Sequence, residues 1–394
     1  MRLLRVPLGC LPGLVFLLAS GARAEFPMKL QPMVEVRVPN PPVPYRDRGC
    51  VSLVYELLLR SEEWQDVTLK RIEVVGDTDR VLASFEGGGL RRLLERPGFP
   101  DPETAVFLRR LAKEDPAHAP PPFQDPIAEP ERIGPGLSAI LYMWLELPLE
   151  VSVPRTLRHR ITFEAWHALV PGPAVILAGE TAVTSGALAV LEPPLRDGPW
   201  GVTNGPSNTS FHRRGLALID GRLSHPQRFA LDLVKTDADG RMKRPGVEGN
   251  EAYFGYGEPV LAAARGEIVE AVNDLPENET PGPLARAVPV TWDNIAGNRV
   301  TLRLPGGLCV LYAHLKSGSV RVRVGDTVEV GTVLGLLGNS GNSFGPHLHF
   351  QVSTGLAMSG QGMPYVLGGT ASGRTNLTAV AHEIPRQGDF CWFP

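Results

Sequence analysis

Gly345-Pro346-His347-Leu348-His349-Phe350 closes a glycine-punctuated run that begins at Val324. On a β-strand, residues i and i+2 share a face, so His347 and His349 can address one point in space. Leu348 and Phe350 then point the other way, into a core. An isolated pair of this kind is more often structural than chemical, so its surroundings decide how it is read. Immediately upstream lie Gly325-Asp326-Thr327-Val328-Glu329-Val330-Gly331-Thr332-Val333-Leu334-Gly335 and Gly338-Asn339-Ser340-Gly341-Asn342. Val328, Val330, Thr332 and Leu334 share one strand parity, and the glycines supply tight turns. The run reads as a glycine-cornered β-arch that delivers the paired histidines.

Further upstream, Leu311-Tyr312-Ala313-His314-Leu315 reads as a strand ending in a third histidine. Gly297-Asn298-Arg299-Val300-Thr301-Leu302 precedes it, and Tyr256 to Val269 carries Gly257-Glu258-Pro259-Val260 and Gly266-Glu267-Ile268-Val269. In this order, from Tyr256 to Phe350, these segments resemble the lysostaphin/LytM-type zinc metallopeptidases. Members of that family share a GxPVxA…GxV strand pair, a GNxVxL…YxHL hairpin, a VxxGDxVxxG…GPHLHF closing run and an upstream HxxxD. The resemblance implies a β-rich peptidase domain. It also implies Zn2+ held by three protein ligands with one open position, and hydrolysis of peptide bonds in peptidoglycan stem or cross-bridge peptides.

Carried over residue by residue, His349 is a metal ligand, and His314 and His347 form the catalytic pair. Asp232, in Phe229-Ala230-Leu231-Asp232-Leu233, is the carboxylate ligand. An ionised aspartate in an apolar strand is costly without a cation, which supports the same role. The pattern breaks at the first residue of HxxxD, where Arg228 stands. Arginine stays protonated and has no lone pair for zinc. Two readings compete. In the favoured one, His212 fills the place: a hairpin about Asp220-Gly221, with a bulge near Pro226, brings it to the Asp232 face. His225, an odd seven residues from Asp232, ranks second. In the alternative, the domain is degenerate and metal-free, Arg228 replaces the metal's charge, and the chain binds cell wall or activates a partner hydrolase. Arg213 and Arg214, beside His212, read as solvated.

The remainder of the chain gives context. It has 394 residues, enough for two domains, and a net charge of −3 that offers no case for nucleic acid. Arg2 and Arg5, an apolar stretch through Leu14 to Leu18, and Ala22-Arg23-Ala24 form a secretory signal cut after Ala24. The mature protein is therefore expected outside the cytoplasm, periplasmic or extracellular, with no membrane span. Cys50, Cys309 and Cys391 remain after cleavage, and Cys309–Cys391 is the expected pair if a disulfide forms. The fold class is all-β. Residues 25–185 form a β-sandwich-like domain of unknown role, with strands at Met33–Val38, Val51–Leu59, Val67–Val75, Ala139–Leu149, Thr156–Ala165 and Ala174–Thr184. Short helices are expected at Leu90–Leu94 and Ala105–Lys113. A linker spans 186–207, and the peptidase domain fills 208–394. His118, His159, His167 and His382 read as structural or surface residues.

Overall fold

The structure is a computed structural model that describes residues 33–100, 102–114, 124–125, 127–167, 170–186, 188–279, 281–282, 286–372, 378–380 and 382–393. The secretory signal and His118 lie outside them. No helix among the described residues is long and apolar enough to cross a membrane.

The first half contains β1 (Val34–Arg37), β2 (Tyr45–Asp47), β3 (Cys50–Ser61), β4 (Val67–Val75), β5 (Val81–Glu86), α1 (Gly87–Leu93), β6 (Leu94–Glu95), α2 (Pro102–Glu114), β7 (Arg132–Ile133), β8 (Ser138–Pro148), β9 (Thr156–His167) and β10 (Val170–Ala182). One antiparallel sheet runs β1-β3-β8-β6 with β2 also on β3, and a second runs β10-β9-β4-β5 with β7 on β4. Leu53, Tyr55, Leu57 and Leu59 from β3 and Leu141, Met143 and Leu145 from β8 meet Leu69, Ile72 and Val74 from β4 and Ile161 and Phe163 from β9 in one core. Two sheets sharing one apolar interior make a sandwich. The expected strands and both expected helices are present.

β3 is unusual because its other face is buried too. Ser52, Val54 and Glu56 are at most 2% exposed, and the strand reads as a nearly continuous apolar run, the signature of a strand covered on both sides. Val54 and Tyr45 join the core of the second half, and Tyr45 meets Phe229 edge-on at 5.6 Å. The β3–β8 sheet therefore lies between the second sandwich sheet and the second half of the chain.

That second half holds β11 (Ala189–Leu191), β12 (Asp197–Asn204), α3 (Phe211–Arg214), β13 (Ala217–Ile219), β14 (Arg222–Ser224), β15 (Leu231–Lys235), β16 (Pro259–Leu261), β17 (Gly266–Val272), β18 (Asn298–Arg303), β19 (Cys309–Leu315), β20 (Thr327–Val328), β21 (Val333–Leu336), β22 (Leu348–Ser353), β23 (Tyr365–Leu367), β24 (Thr370–Ser372), β25 (Thr378–Val380) and β26 (Phe390–Phe393). Its main sheet runs β20-β17-β18-β19-β22-β15-β12-β26-β24-β25. Two expectations need correction here. The segment 186–207 is not an extended linker. β11 pairs with β23, β12 lies between β15 and β26, and Trp200 is wholly buried. Cys309 and Cys391 are free thiols. They sit on β19 and β26, with β22, β15 and β12 between them. Four inter-strand steps of about 4.8 Å separate them by far more than a disulfide can span.

Candidate metal centre

The centre is built on three adjacent strands. β22 lies between β19 and β15, and His349 is the register partner of both Ala313 and Asp232. Directly opposed residues of an antiparallel pair share a face, so the Asp232 carboxylate and the His349 ring meet, with Nδ1 2.9 Å from Oδ1. The neighbours Leu231, Leu233, Leu348 and Phe350 point to the opposite face and are fully buried in the core. His347 precedes β22 and brings Nε2 to 3.4 Å from Asp232 Oδ1.

His212 reaches the same carboxylate from outside the sheet. Its Nε2 lies 3.2 Å from Asp232 Oδ2, and its ring meets that of His349 edge-on at 4.8 Å. The donor atoms of His212, Asp232 and His349 all lie within 4.8 Å of one another. The route differs from the one expected. Asp220 and Gly221 do form the turn of a hairpin, with φ of 49° and 72° and with Ala217 opposite Ser224. However, the hairpin ends there, and His212 belongs to the one-turn helix α3, which Ser210 caps by accepting from the Arg213 N–H. No strand register extends to His212.

His314 completes the cluster. It adopts φ of 60° near the end of β19, a left-handed conformation that a non-glycine residue holds only when its surroundings enforce it. Its backbone N–H donates to Ala296 O at 3.0 Å. Its ring centroid lies 4.7 Å from that of His347 and 5.8 Å from that of His349.

The hydrogen bonds around the four rings fix which nitrogen faces inward. Nδ1 of His314 is 2.8 Å from Ser340 O, Nδ1 of His347 is 2.8 Å from Gly345 O, and Nδ1 of His212 is 3.3 Å from Ala230 O. Carbonyl oxygens only accept, so each Nδ1 carries the proton and each Nε2 faces the centre. For His349 the roles reverse. Gln351 donates through Nε2 to Ala357 O at 2.9 Å, which turns its Oε1 toward His349 Nε2, also at 2.9 Å. His349 Nδ1 then carries the lone pair. In their neutral forms, His212 and His349 therefore aim lone pairs at an anionic oxygen. A cation among the three donors turns that repulsion into coordination. The donor set, two imidazoles and one carboxylate with the outer ring nitrogens already bonded to oxygen, suits zinc. Sequence reading missed Gln351, although it lies two residues from His349 on the same face. It also missed Asn204, the register partner of Asp232, whose Nδ2 donates to Asp232 Oδ2 at 3.3 Å.

Electrostatics follow from burial and crowding. Burial would raise the Asp232 carboxyl, but His212 and His347 hold it well below the usual carboxylate range. Burial, then His347 and His349, pushes His314 well down. Burial lowers His349, with partial relief from Asp232. Burial opposes protonation of His347, but Asp232 outweighs it and raises that ring.

The residues left open by the sequence have other partners. Arg228 pairs with Glu56. It is 4% exposed and forks onto Glu56 of β3 through Nε at 3.1 Å and through Nη2. His225 Nδ1 lies 3.3 Å from Glu56 Oε2, and burial, Arg228 and Arg213 push its pKa down to about 2. Arg213, expected in solvent, is fully buried and paired with Glu56. Arg214 donates to Asn208 O and Arg92 O, so its guanidinium is not free in solvent either. His159 is buried against Tyr55 Oη and Gly179 O, in keeping with a structural role.

Residues 247–361 match the model of Peptidase family M23. Over those residues the chain is similar to the M23 peptidases. The match includes His314, His347 and His349, while His212 and Asp232 precede it. Among curated proteins, an uncharacterized metalloprotease of Buchnera aphidicola is 42% identical over 57 residues, 14% of this chain and 15% of that protein. Lysostaphin of Staphylococcus staphylolyticus is 33% identical over 105 residues, 26% of this chain and 18% of that protein. A glycyl-glycine endopeptidase of Staphylococcus capitis is 33% identical over 108 residues, 27% of this chain and 24% of that protein. The similarity thus spans no more than about a quarter of any of these relatives. The catalytic domain of lysostaphin from Staphylococcus simulans, a solved structure, is 24% identical, with 42% of this chain and 86% of that chain covered and a TM-score of 0.24. Arg228, like His212 and Asp232, precedes the matched residues.

Proposed function

We propose that the chain is an exported zinc metalloendopeptidase acting in the periplasm or outside the cell, with peptidoglycan stem or cross-bridge peptides as substrate. The observation that carries this reading is the convergence of His212, Asp232 and His349 donor atoms within 4.8 Å, beside two further imidazoles. The names of the relatives, lysostaphin and a glycyl-glycine endopeptidase, support a cell-wall peptide as substrate.

His212, Asp232 and His349 hold the metal in this reading. Zinc held there would supply Lewis acidity, which polarises a scissile carbonyl and lowers the pKa of water so that it gives up a proton near neutral pH. Asp232 contributes the negative charge of the donor set, and Asn204 orients its Oδ2. His314 and His347 present Nε2 from one side of the centre, each anchored through Nδ1 to a carbonyl. One Nε2 would take the proton of the attacking water, and the other ring, entering the step as an imidazolium, would give its Nε2 proton to the leaving amine. The metal-free alternative assigned Arg228 to the metal's place. Its fork onto Glu56 counts against that role.

Metal analysis of the purified mature chain, with peptidoglycan digestion followed by mass spectrometry, tests the reading. About one zinc per chain and released peptides are expected. A zinc-free chain that binds cell wall and releases nothing refutes the enzyme reading in favour of a binding role.

A further inference from the structure

Of the three donors, Asp232 and His349 are fixed as register partners in one sheet. His212 has no such support. It rides on a four-residue helix reached through Gly205-Pro206-Ser207-Asn208-Thr209, and one helical turn is not stable by itself.

Its neighbour Arg213 supplies the anchor. That guanidinium is fully buried. Nη1 pairs with Glu56, and Nη2 donates to Tyr55 O at 3.0 Å and Met143 O at 3.3 Å. Both carbonyls belong to the sandwich strands β3 and β8. Arg228 grips the same carboxylate from the turn that leads into β15, four residues before Asp232. Glu56 therefore ties the segment that carries His212 to the segment that carries Asp232. Without its charge, two buried guanidiniums would face each other with no anion between them, which is strongly unfavourable. The cheapest relief is for the one-turn helix to shift, taking His212 with it.

We infer that Glu56, on the sandwich domain, is a positioning residue for the metal centre: it sets the place of His212 through Arg213 and the approach of Asp232 through Arg228. The inference rests on the reading of His212 as a metal donor. Arg228, where the family pattern has a ligand, thereby has a use in the relocated site. It shares the carboxylate that holds the replacement ligand's helix, and the sandwich becomes part of the metal-binding apparatus.

The test is zinc affinity of the full mature chain, measured by competition with a chromophoric chelator well below the melting temperature, with circular dichroism to verify folding. The wild-type chain is expected to bind about one zinc. If it binds none, the metal reading itself fails and the inference with it. Glu56→Gln keeps the side-chain shape and is expected to weaken zinc about 10- to 100-fold, as loss of a group supporting a ligand does. Asp47→Asn is the control. It weakens the Arg386–Asp47 pair, which joins the same two halves without touching α3. It is expected to lower the melting temperature and leave zinc affinity unchanged. Wild-type affinity in a folded Glu56→Gln chain overturns the inference, and so does an equal loss in Asp47→Asn. Should Glu56→Gln fail to fold, Arg213→Lys decides. It keeps a cation for Glu56 but loses the fork to the two carbonyls, so several-fold weaker zinc is expected. Unchanged affinity there overturns the inference.

Discussion

Each imidazole of the centre is oriented by an oxygen behind it rather than by the metal position in front of it. His314 shows the consequence most clearly, because among the described residues its ring hydrogen bond goes to a backbone carbonyl and not to Asp232. Its Nδ1 is held by Ser340 O, and it lies beside rather than among the three donors. His314→Ala is expected to retain about one zinc per chain and to lose peptide hydrolysis by about 100- to 10,000-fold, the usual worth of a general acid or base. Metal analysis and turnover on the same sample separate the two effects. His212→Ala is expected to lose the stoichiometric zinc as well as activity. His159 lies on β9 of the sandwich, buried against Tyr55. Burial pushes its pKa down to about 4 from an ordinary value near 6.5. The unfolded chain therefore binds a proton between these values while the folded chain does not. The stabilisation is complete above pH 6.5, declines as the pH falls, and is gone below about 4, a change of roughly 3 kcal/mol. In His159→Gln that part of the acid destabilisation should disappear, as read from melting temperature against pH.

At the scale of elements, the arch that carries His347 and His349 works by backbone approach. Gly297 has φ of 64°, and a Cβ there would meet Ser340 O at 2.4 Å. Gly341 has φ of 71°, and a Cβ there would meet the Gly297 backbone, also at 2.4 Å. The glycines matter because Ser340 O is the acceptor that orients His314, and Ser340 Oγ accepts from the Asn298 N–H. Gly297→Ala is expected to cost roughly 2–4 kcal/mol of stability through positive φ and overpacking. It should also lower turnover more than zinc content, because the displaced carbonyl serves His314 and not a ligand. Urea denaturation and metal analysis check both halves of this expectation. Most of this element was legible in the sequence, since glycine turns and strand parity are properties of neighbouring residues. The segment 186–207 was not legible. Its prolines and glycines read as a linker, but β12 is stabilised by β15 and β26, which come later in the chain, and pairing of that kind overrides local propensity.

At the scale of the whole molecule, the sheet of β3 and β8 serves two interiors. Tyr55 and Leu57 fill the sandwich, while Val54 and Glu56 face the second half of the chain. Expressed alone, residues 188–394 would leave Arg213 and Arg228 without their carboxylate and Phe229 without Tyr45. The isolated half is expected to be less stable by at least about 3–5 kcal/mol, the cost of breaking one buried charge pair, and to associate in solution. Urea denaturation and size-exclusion chromatography test this, and an isolated half that is monomeric and fully stable would refute it.

The all-β class, the strands of the sandwich, the M23 likeness and the choice of Asp232, His314, His347 and His349 as candidates were legible along the chain. These rest on two-residue periodicity, glycine turns and ordered motifs, all of which are local along the chain. That His212 arrives on a helix rather than a strand, that Cys309 and Cys391 lie four strands apart, and that Arg228 answers to Glu56 and not to Asp232 emerged only from the packed chain. Glu56 and Arg228 are separated by 172 positions. No periodicity near either residue encodes which distant strand will cover it, so the partner of a buried charge becomes visible only once the two halves are packed together.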